Sequence, residues 1–133
     1  MPFQFSTAAR NAALDAIETT IGTAPTLTIR TGTVPGNCAA ARTGTVLATI
    51  TLPSDWMAAA SGGSKALAGT WQDAAADATG TAGHFSIDQG GTCHMQGTIT
   101  ATGGGGDMTL DNTSISSGQQ FNVTSFTITA GGA

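Results

Sequence analysis

Apolar residues recur at Ala13, Leu14, Ile17 and Ile21, with Arg10, Asp15 and Glu18 at the polar positions between them. That spacing follows the 3.6-residue period and predicts one amphipathic helix over residues 6–21. Ser6 can cap its first turn, because a serine hydroxyl accepts from an otherwise unpaired N–H. Gly22 is a natural stop. Past Gly22 the period falls to two. Residues 26–31 alternate Thr with Leu27 and Ile29, and residues 45–52 place Val46, Ala48, Ile50 and Leu52 on one face. Both read as half-buried strands. The stretch 32–44, with Pro35, Gly36 and Asn37, reads as a loop.

The sequence Pro53-Ser54-Asp55 ends the second strand and predicts a helical turn through Trp56 to Ala60. Leu67, Gly69 and Trp71 then share one face of a third strand. Residues 84–101 predict a hairpin. Placing Phe85, Ile87, Cys93, Met95 and Ile99 on one face sets Ile87 opposite Cys93 and Phe85 opposite Met95. The loop is then Gln89-Gly90-Gly91, with Gly91 in the left-handed region such loops require. Residues 103–106 read as a flexible link. Residues 107–111 form a short strand presenting Met108 and Leu110. Residues 119–130 form a long strand whose apolar parity slips between Val123 and Phe126, which predicts a bulge near Ser125. The sum is a mainly β chain, a β-sandwich or jelly roll, with one N-terminal amphipathic α-helix. It divides as one domain over 1–133: an extended arm 1–5, the helix 6–21 and the sandwich 26–130.

Composition narrows the functions open to such a fold. Of 133 residues, 9% are charged, against about a quarter in ordinary domains. Four Lys and Arg against eight Asp and Glu leave a net charge of −4. So few cations cannot neutralise a row of phosphates, which argues against nucleic acid. No stretch has the length and apolarity of a membrane span. The opening residues lack a basic segment followed by an apolar run, so the expectation is synthesis in the cytoplasm with neither a signal peptide nor a membrane anchor.

Catalytic motifs are missing as well. The glycine run 103–106 is not followed by Lys-Ser/Thr and opens no helix, so it is no phosphate loop. The segment Gly62-Gly63-Ser64-Lys65 lacks the Gly-x-Ser-x-Gly pattern of a nucleophile elbow. The carboxylates are too dispersed to assign an acid–base pair. The expectation is a non-enzyme with no cofactor and no metal. In the hairpin register above, His84, Ser86, Asp88, His94 and Gln96 point away from the core. His84 and His94 then become diagonal neighbours on that polar face. Two histidines could hold a metal ion, but no third ligand is evident, and a polar outer sheet face or an intersubunit contact accounts for them better.

The run Leu52-Pro53-Ser54-Asp55-Trp56-Met57, then Gly69-Thr70-Trp71, the segment 80–85 and the segment 97–100 resemble a family of small structural proteins of tailed phages. Residues 106–112 and 117–129 resemble the same family, and the likeness extends more weakly to the helix. The resemblance implies a virion component, often a sandwich or jelly-roll cement protein on the capsid exterior, with the major capsid protein or other virion proteins as partners. A tail or baseplate component is the alternative. A receptor- or carbohydrate-binding β module is a third reading, with Trp56 as its aromatic candidate, although Trp56 reads more readily as an anchor from the helical turn into the core. The interface candidates are Phe3 and Phe5 on the arm, Trp56, His84 and His94. Low charge and an amphipathic helix outside the sandwich favour a homo-oligomer, a dimer or trimer. Cys38 in an outer loop and Cys93 on an inward strand face are poorly placed to bridge, so both are expected as free thiols, Cys38 the more reactive.

Overall fold

The computed structural model describes residues 3–131. Helix α1 spans Thr7–Ile21. The Ser6 hydroxyl accepts from the Ala9 N–H, and Gly22, at φ 95°, donates its N–H to the Glu18 carbonyl. Sequence and structure agree on both ends. Eleven strands follow: β1 (Thr26–Arg30), β2 (Val46–Thr51), β3 (Ser64–Ala66), β4 (Trp71–Asp73), β5 (Gly80–Thr81), β6 (His84–Gln89), β7 (Thr92–Ala101), β8 (Met108–Leu110), β9 (Ser114–Ile115), β10 (Phe121–Val123) and β11 (Thr127–Thr129).

Five of them build one sheet in the order β2-β1-β6-β7-β8; the rest pair as β10-β4, β11-β3 and β5-β9. The fold is mainly β and sandwich-like, with the single helix at the N-terminal side. Leu27, Ile29, Ile50, Phe85 and Ile87 line one face of the large sheet, by the registers of β1 with β2 and β6. They join Trp56, Trp71, Phe121, Val123 and Phe126 in one buried cluster. The aromatic rings touch in sequence: Trp56 to Trp71 at 6.2 Å, Trp71 to Phe126 at 5.7 Å and Phe126 to Phe85 at 5.5 Å.

Several expected elements take another form. The segment after Pro53 makes no helical turn; Met57 bridges Leu67, and the Trp56 indole N–H donates to the Gly22 carbonyl at 2.9 Å. Leu67, Gly69 and Trp71 do not share a strand. The chain turns at Gly69 (φ 72°), where a side chain would strike Pro53. The expected long strand over 119–130 breaks into β10 and β11, which pair with different partners while Phe126 turns inward between them. The parity slip was real, but a change of sheet resolves it instead of a bulge.

The hairpin closes on two residues, Gly90 and Gly91, both at positive φ (60° and 84°). Such a turn matches the strand twist and needs residues free to take left-handed conformations. Asp88 pairs with Cys93 and Ile87 with Met95, leaving His94 as an inserted residue. Phe85 faces Gly97 and not Met95; a Cβ there would lie 2.7 Å from the Phe85 ring. The glycine run is no flexible link either. β8 lies parallel to β7, with Ile99 opposite Met108. Parallel neighbours ordinarily need a crossover of about a dozen residues. Here the short return is pinned: the Gly106 N–H donates to Thr100 Oγ1 at 3.0 Å, and the Thr98 N–H donates to the Asp107 carboxylate at 3.0 Å.

Candidate interaction surface

The helix is docked through one side. Leu14 and Ile21 are buried against the sheet layer. Beside them, Lys65 of β3 is 2% exposed and reaches Asp15 Oδ1 at 2.6 Å and Glu18 Oε1 at 2.7 Å. Asp15 and Glu18 stand three positions apart, so both project to the same strip of helix. The Ala60 N–H also donates to Asp15, and the Gly63 N–H donates to Asn11 Oδ1. Burial opposes the charge on Lys65, but the hydrogen bonds to Asp15 and Glu18 outweigh it and hold the ammonium above its ordinary 10.5. The Asp15 carboxyl is held below its ordinary 3.8 by the Lys65 hydrogen bond and then by the Ala60 N–H. Arg10 lies against Gly63, where no side chain would fit beneath its guanidinium.

The charges of the helix are therefore spent toward β3. What remains outward is mostly alanine, threonine and Ile17, with Arg10 at its border and the Asp15 side chain still half exposed. Ala9, Ala12, Ala13 and Ala16 are exposed, and Ile17 is 39% exposed. The arm ahead of the helix carries Phe3 at 80% and Phe5 at 50% exposure, with their rings edge-to-face at 5.0 Å. Two shallow hollows run along this side. One, of about 280 Å³, lies among Phe5, Ala9, Arg10, Ala13, Ala130 and Gly131. The other, of about 250 Å³, is bounded by Ala13, Ala16, Ile17, Thr20, Ile21 and His94. They share Ala13 and form a continuous surface. Phe3, Phe5 and Ile17 are the large apolar side chains left exposed among the described residues, and all three belong to the arm and helix.

Three of the five sequence-derived interface candidates, Phe3, Phe5 and His94, lie on this side. Residues 1 and 2 of the expected arm fall outside the described residues. Trp56 and His84 are fully buried, so neither is available to a partner. Trp56 anchors the helix end to the aromatic core, which removes the aromatic candidate for a sugar site. His84 pairs with Thr98 on β7, four residues beyond His94, so the expected diagonal pair does not form. Among the described residues no three ligating side chains gather as a metal site would require.

His84 is buried because the outer sheet face is covered, where an open polar face was expected. The loop 32–44 folds over it. Gln96 donates to the Pro35 carbonyl at 2.7 Å, and Arg42 donates to Gln96 Oε1 at 2.7 Å and to the carbonyls of Asn37, Cys38 and Ala40. Cys38 and Cys93 form a disulfide, their Cα atoms 5.4 Å apart, so the expectation of two free thiols is overturned. The cause is the register. In a sheet, a slip of one residue moves a side chain to the opposite face. Opposite Asp88 instead of Ile87, Cys93 meets the loop and not the core. Burial lowers the His84 pKa from its ordinary 6.5; the Gly32 carbonyl works against this, and Arg30 and Arg42 add to it.

Lys65 and Arg42, the two cations that fasten helix and loop, were not singled out from the sequence. Asp15 and Glu18 on one helical strip were the available signal for a buried cation. Nothing local marked Arg42. No family model, curated protein or solved structure matches this chain.

Proposed function

We propose that this protein is a structural component of a tailed-phage particle, a decoration or cement protein that binds the capsid exterior through its arm and outer helix face. The observation that carries the reading is the exposed apolar set Phe3, Phe5 and Ile17 around Ala13, on a helix whose Asp15 and Glu18 are engaged by Lys65 of β3. The motif resemblance to small phage structural proteins supplies the particle. A sheet whose loops are pinned by a disulfide and by Arg42 suits a protein exposed to solvent and proteases on such a surface. No described helix is long and apolar enough to cross a membrane.

The test is addition of the purified protein to phage heads that lack it, with bound copies counted by cosedimentation and located by image reconstruction. Burial of one Phe contributes about 1.5–3 kcal/mol, so removing residues 1–5 is expected to weaken binding about tenfold or more. Ile17→Asp on the outer helix face is expected to act in the same direction. Density on tails and none on heads favours the tail reading. Unchanged occupancy for both variants removes this surface from the account.

A further inference from the structure

The five-stranded sheet has an interrupted edge. β8 covers β7 only at Ile99–Ala101. The half of β7 before Thr98 has a partner in β6 alone. The Ile99 N–H donates to the Gly83 carbonyl, so Ile99, Gly97 and Met95 direct their backbone groups toward β6. By alternation, Thr98 and Gln96 direct theirs outward. The Asp107 carboxylate takes the Thr98 N–H. The Thr98 carbonyl accepts from Met108 in the parallel ladder, so the N–H and carbonyl of Gln96 are the groups that point into a gap.

Across that gap stands β11. The Leu67 N–H donates to Phe126, and the Ala130 N–H donates to Gly63. Even-numbered residues of β11 therefore face β3, and Thr127 and Thr129 turn their backbone groups the other way. The gap between the two edges is a groove of about 450 Å³. Phe85, Met95, Phe126 and Ile128 give it an apolar side, and Gln96, Asp107, Thr127 and Thr129 give it a polar one.

Two strand edges that both present unpaired backbone groups are complementary to one thing, an extended peptide. The chain carries such a segment. Phe3-Gln4-Phe5 forms no helix or strand, is uncharged and places its two rings at alternate positions, as a slot with one apolar side between strands requires. It also starts close by, since Phe5 borders Ala130 and Gly131, immediately beyond β11. Yet Phe3 and Phe5 stand exposed, and their own groove is empty of them. We propose that the groove between β7 and β11 receives the arm of a second copy of this chain as an added strand, joining the large sheet to the β11-β3 pair across two subunits. This deepens the self-association expected of a decoration protein. It rests on that reading only for its biological setting, because the contact forms in pure protein without a particle.

The experiment combines light scattering with amide exchange on the purified full chain, on a variant lacking residues 1–5, and on Thr127→Pro. The proline removes one outward N–H of β11 and spares the ladder to β3. The full chain is expected to be oligomeric, with the amides of Gln96, Thr127 and Thr129 slowed at least about tenfold relative to the arm-deleted variant. The deletion is expected to dissociate it, and a synthetic peptide of residues 1–6 to restore the protection. Double replacement Phe3→Ser with Phe5→Ser repeats the test should the proline variant fail to fold. An oligomer that survives arm deletion overturns the proposal and assigns association to the helix face. A monomeric full chain overturns it too, whether those amides are protected by its own arm or by nothing. Loss of head binding alongside a persisting arm-dependent oligomer would overturn the particle reading and leave the strand exchange standing.

Discussion

The two faces of the strands β1, β6 and β7 are buried by different means. On one, Leu27, Ile29, Phe85 and Ile87 meet the aromatic cluster and need no polar partners. On the other, Thr28, His84 and Ser86 are also buried, and the loop 32–44 closes over His84 and Gln96. His84 Nε2 and Ser86 Oγ have no hydrogen-bond partner there. Apolar surface leaves water with a gain in free energy, whereas an unpartnered polar atom leaves it at a cost. The second face is therefore held shut from outside, by the Cys38–Cys93 bond and by the Arg42 and Gln96 contacts. Burial on both faces does not mean equal contribution to stability.

The sharpest way to break the contrast is to cut neighbouring residues that point to opposite faces. Phe85→Ala is expected to cost about 3–5 kcal/mol, read as a fall in the urea midpoint, because it empties the aromatic contact with Phe126. A smaller but still large effect is expected from replacing Cys38 and Cys93 together by Ser. The bond joins residues 55 apart, and its loss is expected to cost about 2–4 kcal/mol in the same measurement. The double variant should also expose the His84 amide to rapid exchange, which Phe85→Ala at partial denaturation should not do selectively.

Next comes a pH effect. The folded-state pKa of His84 is depressed, so between that value and 6.5 the unfolded chain binds the extra proton. Stability from keeping His84 neutral is fully present above 6.5 and falls as the pH drops through that window. His84→Gln is expected to flatten this part of the stability profile, and opening the loop by reduction to move the His84 titration, followed by NMR, upward toward 6.5. A profile unchanged by His84→Gln would mean that the ring is not shielded as described. The smallest effect is expected at Ser86→Ala, within about 0.5 kcal/mol of the parent or slightly more stable, since the hydroxyl removed has no partner to lose. A loss above about 2 kcal/mol there would mean that the hydroxyl is bonded after all, and the contrast between the faces would collapse.

Legibility followed the range of each interaction. The helix was readable to within a residue because capping by Ser6, the stop at Gly22 and the apolar spacing are all local. β1, β2 and β8 were readable for the same reason. The hairpin was placed correctly and its register misjudged, because Gly90 and Gly91 allowed either a two- or a three-residue loop. The apolar pattern then favoured an inward Cys93. On the candidate surface, Phe3 and Phe5 were legible as apolar residues ahead of a polar cap. Trp56 was legible as an anchor into the core, but burial of His84 was not, because that depends on what folds over it from elsewhere in the chain.

By itself the sequence determined the class of fold, the one helix with its ends, most strand positions, the scarcity of cationic residues, and the apolar arm. Those follow from short-range preferences and from composition, which hold whatever the chain does elsewhere. Only the tertiary structure decided that Cys38 meets Cys93, that Lys65 gathers Asp15 and Glu18, that β8 returns parallel to β7, and that β7 and β11 leave open edges facing one another. Each of these joins segments distant in the chain or folded back by a glycine turn. A one-residue change of register moves a side chain from one face of a sheet to the other, and the pattern along a single strand holds too little information to fix that choice.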